Sequence, residues 1–377
     1  MIIIIAPTAF KHSLSPRQAS TAIERGIRTA LPDAHCIALP IADGGNGTLD
    51  AWLAQGGTRH TARVHDPLMR SINADYGILS DGETAIIEMA QASGIELLDR
   101  REHDPYQATT YGTGDLIQAA YQQGARRFII GMGGSATVDG GAGALQALGV
   151  RLLDQDGHDL APGGEPLARL AQIDTRNLAP HWGDCTFIFA TDVDNPLLGA
   201  TGAAAVFAPQ KGATPAQVTQ LAANLSHFAD VMQAQQGVDV RTVAGGGAAG
   251  GLTAGLLAFF GGRITSGIDL LLAEMNAAEH LNGAHVVITG EGQIDAQTMH
   301  GKAVLGIARL AARYDVPTIA LVGSLNAHDR DLHDAGIHAV LPIVDQPMTL
   351  DDALQQAADL IERAALRLGY IIGAMRG

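Results

Sequence analysis

The 377-residue chain carries 24 Lys and Arg against 39 Asp and Glu, a formal charge of −15. That balance excludes a broad basic surface for nucleic acid or anionic lipid, so an anionic ligand needs a local cluster of cations. Apolar residues make up 47% but aromatics only 4%, which leaves Ala, Leu, Ile and Gly to fill tightly packed α/β layers, and no apolar run reaches the ~18 residues of a membrane span.

The opening MIIIIAPTAF is too short and lacks the basic start of a secretory signal. The two cysteines, Cys36 and Cys185, have no metal-ligand spacing and suit a reducing compartment, so a cytoplasmic protein is expected. The β-branched run IIIIA predicts a buried strand. Ser15 and Pro16 read as the N-cap and first residue of a helix over SPRQASTAIERGIRTAL. CIALPI predicts a second strand, and GNGTLDAWLAQ a helix opening from a glycine turn. Lys11 falls just past the first strand, in the crevice where open α/β sheets bind ligands, and could hold a phosphate or carboxylate. Asp43 follows the second strand beside Gly44 and Gly45, which let the backbone approach a ligand. An Asp turn bonded to its own backbone would use the same residues.

In the middle, RHTARVHDPL, SINADYGILS and TAIIEMA are strand-like segments separated by turns, which predict an antiparallel or mixed patch. A helix over 114–123 and a strand over 127–131 follow. The next stretch, FIIGMGGSATVDGGAGALQALGVRLLD, contains Gly131-Met132-Gly133-Gly134-Ser135-Ala136, which fits G-x-G-x-x-A, with Asp154 near the position of a ribose-binding acid. Two features oppose a dinucleotide site. Gly140, Gly141 and Gly143 disfavour helix before Gly143, and the segment lies in mid-chain rather than in a first βαβ unit. Asp154 also reads as part of a hairpin with Asp156-Gly157 at its tip.

FIFATDVDNPLLG then puts Asp192 and Asp194 at a strand end. They share a face if the strand continues, and suit Mg²⁺ or a proton acceptor; a turn capped by Asp and Asn is the plainer alternative. Toward the end, AHVVITG, PTIALVG and AVLPIV predict strands. GKAVLGIARLAARY predicts a helix, as does TLDDALQQAADLIERAALRL, capped by Thr349. Glu291 and Asp295 follow a strand among Gly290 and Gly292, with Lys302 near the next helix start. This is either a phosphate–metal region or a solvated loop. It is not a Walker A segment, since Gly301-Lys302 continues with Ala303.

Strands from both chain ends suffice for a flavodoxin-like doubly wound parallel sheet. The expected organisation is a domain of residues 1–57 and 284–377, a mixed α/β domain inserted at 58–283, and an active site in the cleft between them.

The segments IAPTAFKHSLSP, IADGGNGT, GTGDLI, IGMGGSATVDGGAG, DVDNPLLG, FAPQKGAT, GGGAAGGL and ITGEGQIDAQT occur in the order of the bacterial glycerate kinase family, over nearly the whole chain. The chain resembles the two-domain type of that family. The resemblance implies transfer of the ATP γ-phosphoryl group to a hydroxyl of D-glycerate, with Mg²⁺, giving 2-phosphoglycerate; 3-phosphoglycerate stays open as the product. More distant alternatives are an NAD-dependent dehydrogenase and a non-catalytic sugar-acid binding protein. Asp192, then Asp295, is the expected proton acceptor, and Lys11 would neutralise charge or hold the substrate carboxylate. Asp192, Asp194 and Glu291 would hold the metal. Substrate and nucleotide would meet Asp43, Gly44, Gly45, Gly133, Gly134, Ser135, Asp139, Lys211, Gly290, Glu291, Gly292 and Lys302. The glycine loops at 131–134 and 245–251 would offer backbone N–H groups. Thr8-Ala9 replaces the family's usual Asp-Ser, Asn46 its usual acid, Val138 its usual Asn and Gln293 its usual Arg. D-Glycerate is the expected partner, with no nucleic acid and no membrane; the oligomeric state is open, with a homodimer as one alternative.

Overall fold

The computed structural model describes residues 1–42, 45, 47–295 and 303–375. Its strands in chain order are β1 (Ile2–Pro7), β2 (His35–Ala38), β3 (Thr58–His65), β4 (Ser71–Ile78), β5 (Thr84–Glu88), β6 (Arg127–Gly131), β7 (Arg151–Leu153), β8 (Gln172–Asp174), β9 (Thr186–Ala190), β10 (Arg263–Thr265), β11 (Val286–Asp295), β12 (Thr318–Asn326) and β13 (Ile337–Pro342). They fall in two compact units: Met1–Asp43, Asp50–Gln55 and Gly267–Gly377 form one, Gly44–Leu49 and Gly56–Ser266 the other.

The first unit holds a 5-stranded sheet ordered β13-β12-β11-β1-β2, with every pair parallel. Counted within the unit, this is the flavodoxin order 2-1-3-4-5, whose direction of winding reverses between β1 and β11. The helix Pro16–Ala30 begins at Ser15, whose side chain accepts the Gln18 N–H while the Gln18 side chain accepts the Ser15 N–H. It buries Ala19, Ala22, Ile23 and Ile27 in a core shared with Ile3, Ile5, Ile288, Leu321, Leu360 and Ile361. The partner helix Ala357–Ala374 comes so close that a Cβ on Gly26 would sit 2.2 Å from the Glu362 carbonyl oxygen.

Two boundaries differ from those read in the sequence. The single helix expected after Thr349 is interrupted at Gln356. Leu350–Gln355 buries nothing, whereas Ala357–Ala374 carries the packed face, so the break separates a solvated turn from a core helix. The first unit also resumes at Gly267, not at residue 284, because the helices Gly267–Glu274 and Ala277–Leu281 pack with it. A Cβ on Gly306 would lie 2.5 Å from Ile268 Cγ1.

The second unit holds a 6-stranded sheet ordered β10-β9-β6-β5-β4-β3. The strands β5, β6, β9 and β10 run parallel, and β3 and β4 are added antiparallel. The expected mixed patch is therefore one flank of a larger sheet. Its core stacks Phe128 on Phe187 with ring centroids 5.0 Å apart, and Leu225 and Phe228 pack from the helix Pro215–Gln236. No helix among the described residues is long and apolar enough to cross a membrane.

Candidate active site

The parallel strands of the second unit end on one level. Glu88 is opposite Gly131, Gly131 opposite Ala190, and Ala190 opposite Thr265. The loops leaving that edge are stitched there: Met89 N–H donates to the Gly131 carbonyl at 3.1 Å, Met132 N–H to that of Ala190 at 3.0 Å, and Thr191 N–H to that of Thr265 at 3.0 Å. Carboxyl ends of parallel strands are where α/β sheets place ligands. Three side chains expected at a site emerge here: Ser135 from β6, and Asp192 and Asp194 from β9. Both carboxylate oxygens of Asp192 are enclosed, while Asp194 is exposed.

The β6 loop has an outward and an inward part. Gly134, with φ +76°, is exposed and its carbonyl accepts the Ile95 N–H at 2.9 Å. Among the described residues, the N–H groups of Gly133, Gly134 and Ser135 donate to no protein acceptor. Beyond them the loop turns inward. Asp139 is fully buried and accepts from Thr110 N at 2.8 Å, Thr110 Oγ1 at 2.9 Å, Thr109 Oγ1 at 3.4 Å, Gly141 N at 3.1 Å and Gly143 N at 3.2 Å. Burial pushes its carboxyl above the usual range, against those donors. This acid ties the start of the helix Tyr111–Gln122 to that of Ala142–Ala147 and has no free face for a ligand, unlike the binding role expected of it.

Lys211 is also enclosed, at 3% exposure. Its Nζ donates to Ser135 Oγ and to the Thr137 carbonyl, each at 2.7 Å. Burial lowers its pKa to about 7, with Asp139 acting in the opposite direction. The lysine thus stands behind the loop rather than on its surface.

The second glycine loop, 245–251, is spent on packing. Gly246 N–H donates to Val243 O at 2.9 Å, Gly247 N–H to Asn195 O at 2.9 Å, Ala248 N–H to Gly245 O at 3.1 Å and Gly251 N–H to Gly247 O at 3.3 Å. Ala249, Gly250 and Gly251 adopt left-handed φ values of 54°, 67° and 92° in succession. A Cβ on Gly250 would lie 1.9 Å from the Thr137 carbonyl oxygen, so this loop packs directly against the first one.

In the first unit, β1 ends at the switch point with Pro7 opposite Gly290, and β11 continues past it beside β12 to Asp295. Thr8 N–H donates to the Gly290 carbonyl at 2.8 Å and Thr8 Oγ1 to the same oxygen at 3.2 Å. Gly290 has no room for a side chain, since a Cβ would lie 2.3 Å from Leu321 O. Glu291 is buried at 8% exposure. A Cβ on Gly292 would meet the Lys11 backbone nitrogen at 3.4 Å, so the exposed Lys11 side chain leaves from beside the outer stretch of β11, which carries Glu291. Gly45 accepts from Thr48 Oγ1 at 2.7 Å. Asp43, Gly44, Lys302 and the side chain of Asp295 lie outside the described residues.

Asp154 is a turn residue. Its Oδ1 accepts the N–H groups of Asp156 and His158, both at 2.9 Å, and the ribose-binding role drops out. Asp154, Asp156 and His158 are also the only three potential metal ligands gathered within 4.8 Å among the described residues, and they lie at the surface. Asp192 and Asp194 belong to the second compact unit and Glu291 to the first. At the strand edge of the second unit a buried acid was missed from the sequence: Glu88, at 3% exposure, accepts Leu49 N–H at 2.6 Å and Gln91 Nε2 at 3.2 Å. Its signal was an acid closing the otherwise apolar strand TAIIE.

The sequence model of the glycerate kinase family matches residues 3–372. The chain belongs to the glycerate kinase family. It is 47% identical to the glycerate 2-kinase of Escherichia coli K12 over 97% of this chain and 96% of that one. It is 46% identical to a glycerate kinase of Bacillus subtilis 168, over 97% and 96% respectively. A crystal structure from Salmonella typhimurium LT2, described provisionally as glycerate kinase 2, superposes with a TM-score of 0.89 at 44% identity, covering 100% of this chain and 99% of that chain. As a member, the protein is an enzyme of the phosphotransferase class. Two departures from the family's usual residues now have a local explanation. Thr8 adds a hydroxyl donor to the N–H bond that ties β1 to β11, and the side chain of an ionised Asp could not supply that second donor. Val138 is wholly enclosed in the apolar core and offers a ligand nothing polar.

Proposed function

We propose that this glycerate kinase uses ATP as phosphoryl donor and D-glycerate as acceptor, and that the product is 2-phosphoglycerate. The observation that carries the reading is the full-length likeness, at 47% identity, to a protein named for the 2-position. The strand-end geometry supports it. Phosphoryl transfer relies on positioning and charge neutralisation more than on covalent chemistry. The edge of β6 and β9 supplies both: unclaimed N–H groups at Gly133, Gly134 and Ser135, and a carboxylate at Asp192.

In this reading Asp192 orients the acceptor hydroxyl and takes its proton, with Asp295 as the second candidate for that role. Lys11 meets an anionic group at the β1–β11 switch point. The donors available at the end of β9 are hard carboxylate oxygens, a set that suits Mg²⁺ completed by phosphate oxygens and water. Asp192 and Asp194 would hold it, and Glu291, expected as a third ligand, belongs to the other compact unit. When bound, Mg²⁺ neutralises phosphate charge.

Incubation with ATP, Mg²⁺ and D-glycerate tests the reading. Glycerate-dependent release of ADP is expected, and ADP release indifferent to glycerate would contradict it. NADH titration should leave nucleotide fluorescence unchanged.

A further inference from the structure

We propose that the Ser135 hydroxyl donates to an anionic oxygen of a bound ligand, and that Lys211 is the positioning residue acting through it. The inference rests on the reading of the β6 edge as a ligand site, and assigns the two residues distinct roles there.

The starting point is the direction of one hydrogen bond. In its charged form, which holds below pH about 7, Lys211 Nζ has only donors, so at 2.7 Å from Ser135 Oγ it is the donor. The serine oxygen is then the acceptor, and its own proton points away from the lysine. Among the described residues that proton has no protein acceptor, and the neighbouring N–H groups of Gly133, Gly134 and Ser135 have none either. Four donors without a protein acceptor therefore fall within three consecutive residues of a partly exposed turn. Oriented donors of this kind form a concavity for carboxylate or phosphate oxygens. A cation behind the hydroxyl polarises it, because hydrogen bonds in a chain strengthen one another and charge-assisted ones are the strongest.

Stability alone does not account for Lys211. Enclosing an ammonium group is unfavourable, and among the described residues no acid forms an ion pair with it. Its second bond, to the Thr137 carbonyl at 2.7 Å, fixes the inward half of the same loop. A lysine used to contact ligand would sit at the surface, as Lys11 does. Lys211 instead holds Ser135 in one rotamer and lends it charge from within.

The test is a double-mutant cycle on the full chain at pH 6, where Lys211 is charged, with dissociation constants for D-glycerate, for ATP with Mg²⁺ and for inorganic phosphate measured by calorimetry. Ser135→Ala and Lys211→Met should each weaken the ligand that meets Ser135 about 10- to 100-fold, and the double variant should weaken it no further. Ser135→Thr, which keeps the hydroxyl, should recover most of the affinity. Loss confined to D-glycerate assigns Ser135 to a carboxylate, and loss confined to ATP or phosphate assigns it to a phosphoryl group; either supports the proposal. Multiplying effects, or a Ser135→Ala variant that binds all three like the wild type, would overturn it. If Lys211→Met does not fold, Lys211→Leu with Ser135→Ala closes the same cycle, since it too removes the charge and the donor. A wild type that binds phosphate but not D-glycerate contradicts the substrate reading, and the coupling is still read with phosphate.

Discussion

Thr110 gives Asp139 both its backbone N–H, at 2.8 Å, and its hydroxyl, at 2.9 Å, so that a fully buried acid clasps two helix starts together. The hydroxyl in turn accepts the Ala144 N–H at 3.0 Å. An isolated buried carboxylate would be highly unfavourable, and the five donors around this one offset that penalty.

Asp139→Ala is therefore expected to strand several buried donors at once. The loss should be about 3 kcal/mol or more of unfolding free energy, read as a lowered midpoint in urea. A variant as stable as the wild type would show that the clasp is dispensable.

Lys211 predicts a pH signature in stability. Its folded pKa of about 7 lies below the ordinary 10.5, so between those values the unfolded chain holds the extra proton. Unfolding free energy then rises with pH across that window, and the penalty is fully present below it. Denaturation at pH 7, 8 and 9 should show the wild type gaining on Lys211→Met by up to about 1.4 kcal/mol per pH unit. A constant difference would contradict a lowered pKa.

Two glycines with similar φ values separate close packing from backbone strain. Gly157 has φ +81° and open space around it, whereas Gly250 has φ +67° and the Thr137 carbonyl in the way. Gly157→Ala should cost about 1–2 kcal/mol. Gly250→Ala should cost distinctly more and disturb the loop carrying Ser135, lowering activity as well. Thermal melts and steady-state rates on both variants decide this, and equal effects would refute the buttress role of the second glycine loop.

Much of this was legible in the sequence because local rules acted alone. Ser15, Pro16 and Gln18 specify a helix start whatever lies elsewhere, and the β-branched IIIIA run could only be an inner strand. The level alignment of Glu88, Gly131 and Ala190 was not legible, since strand register depends on partners far apart in the chain. The same limit misassigned Asp139 and Lys211. A polar residue in a glycine-rich segment looks ligand-facing until the fold shows which way it turns, and both turn inward. The glycines at 245–251 carry a related ambiguity: glycine permits close approach, but sequence does not say whether to a ligand or to another loop.

Asp192→Asn keeps the shape of the β9 exit and removes the proton acceptor. Turnover should fall about 10²- to 10⁴-fold with the melting temperature within a few degrees of the wild type. Near-normal turnover would move the acceptor to Asp295, whose own Asn variant should then carry the loss.

The most direct measurement is phosphorus NMR of the reaction of ATP, Mg²⁺ and D-glycerate with the purified protein. A resonance of 2-phosphoglycerate growing in step with ADP is the expected result. Growth of 3-phosphoglycerate instead, or of inorganic phosphate alone, would contradict the proposed reaction.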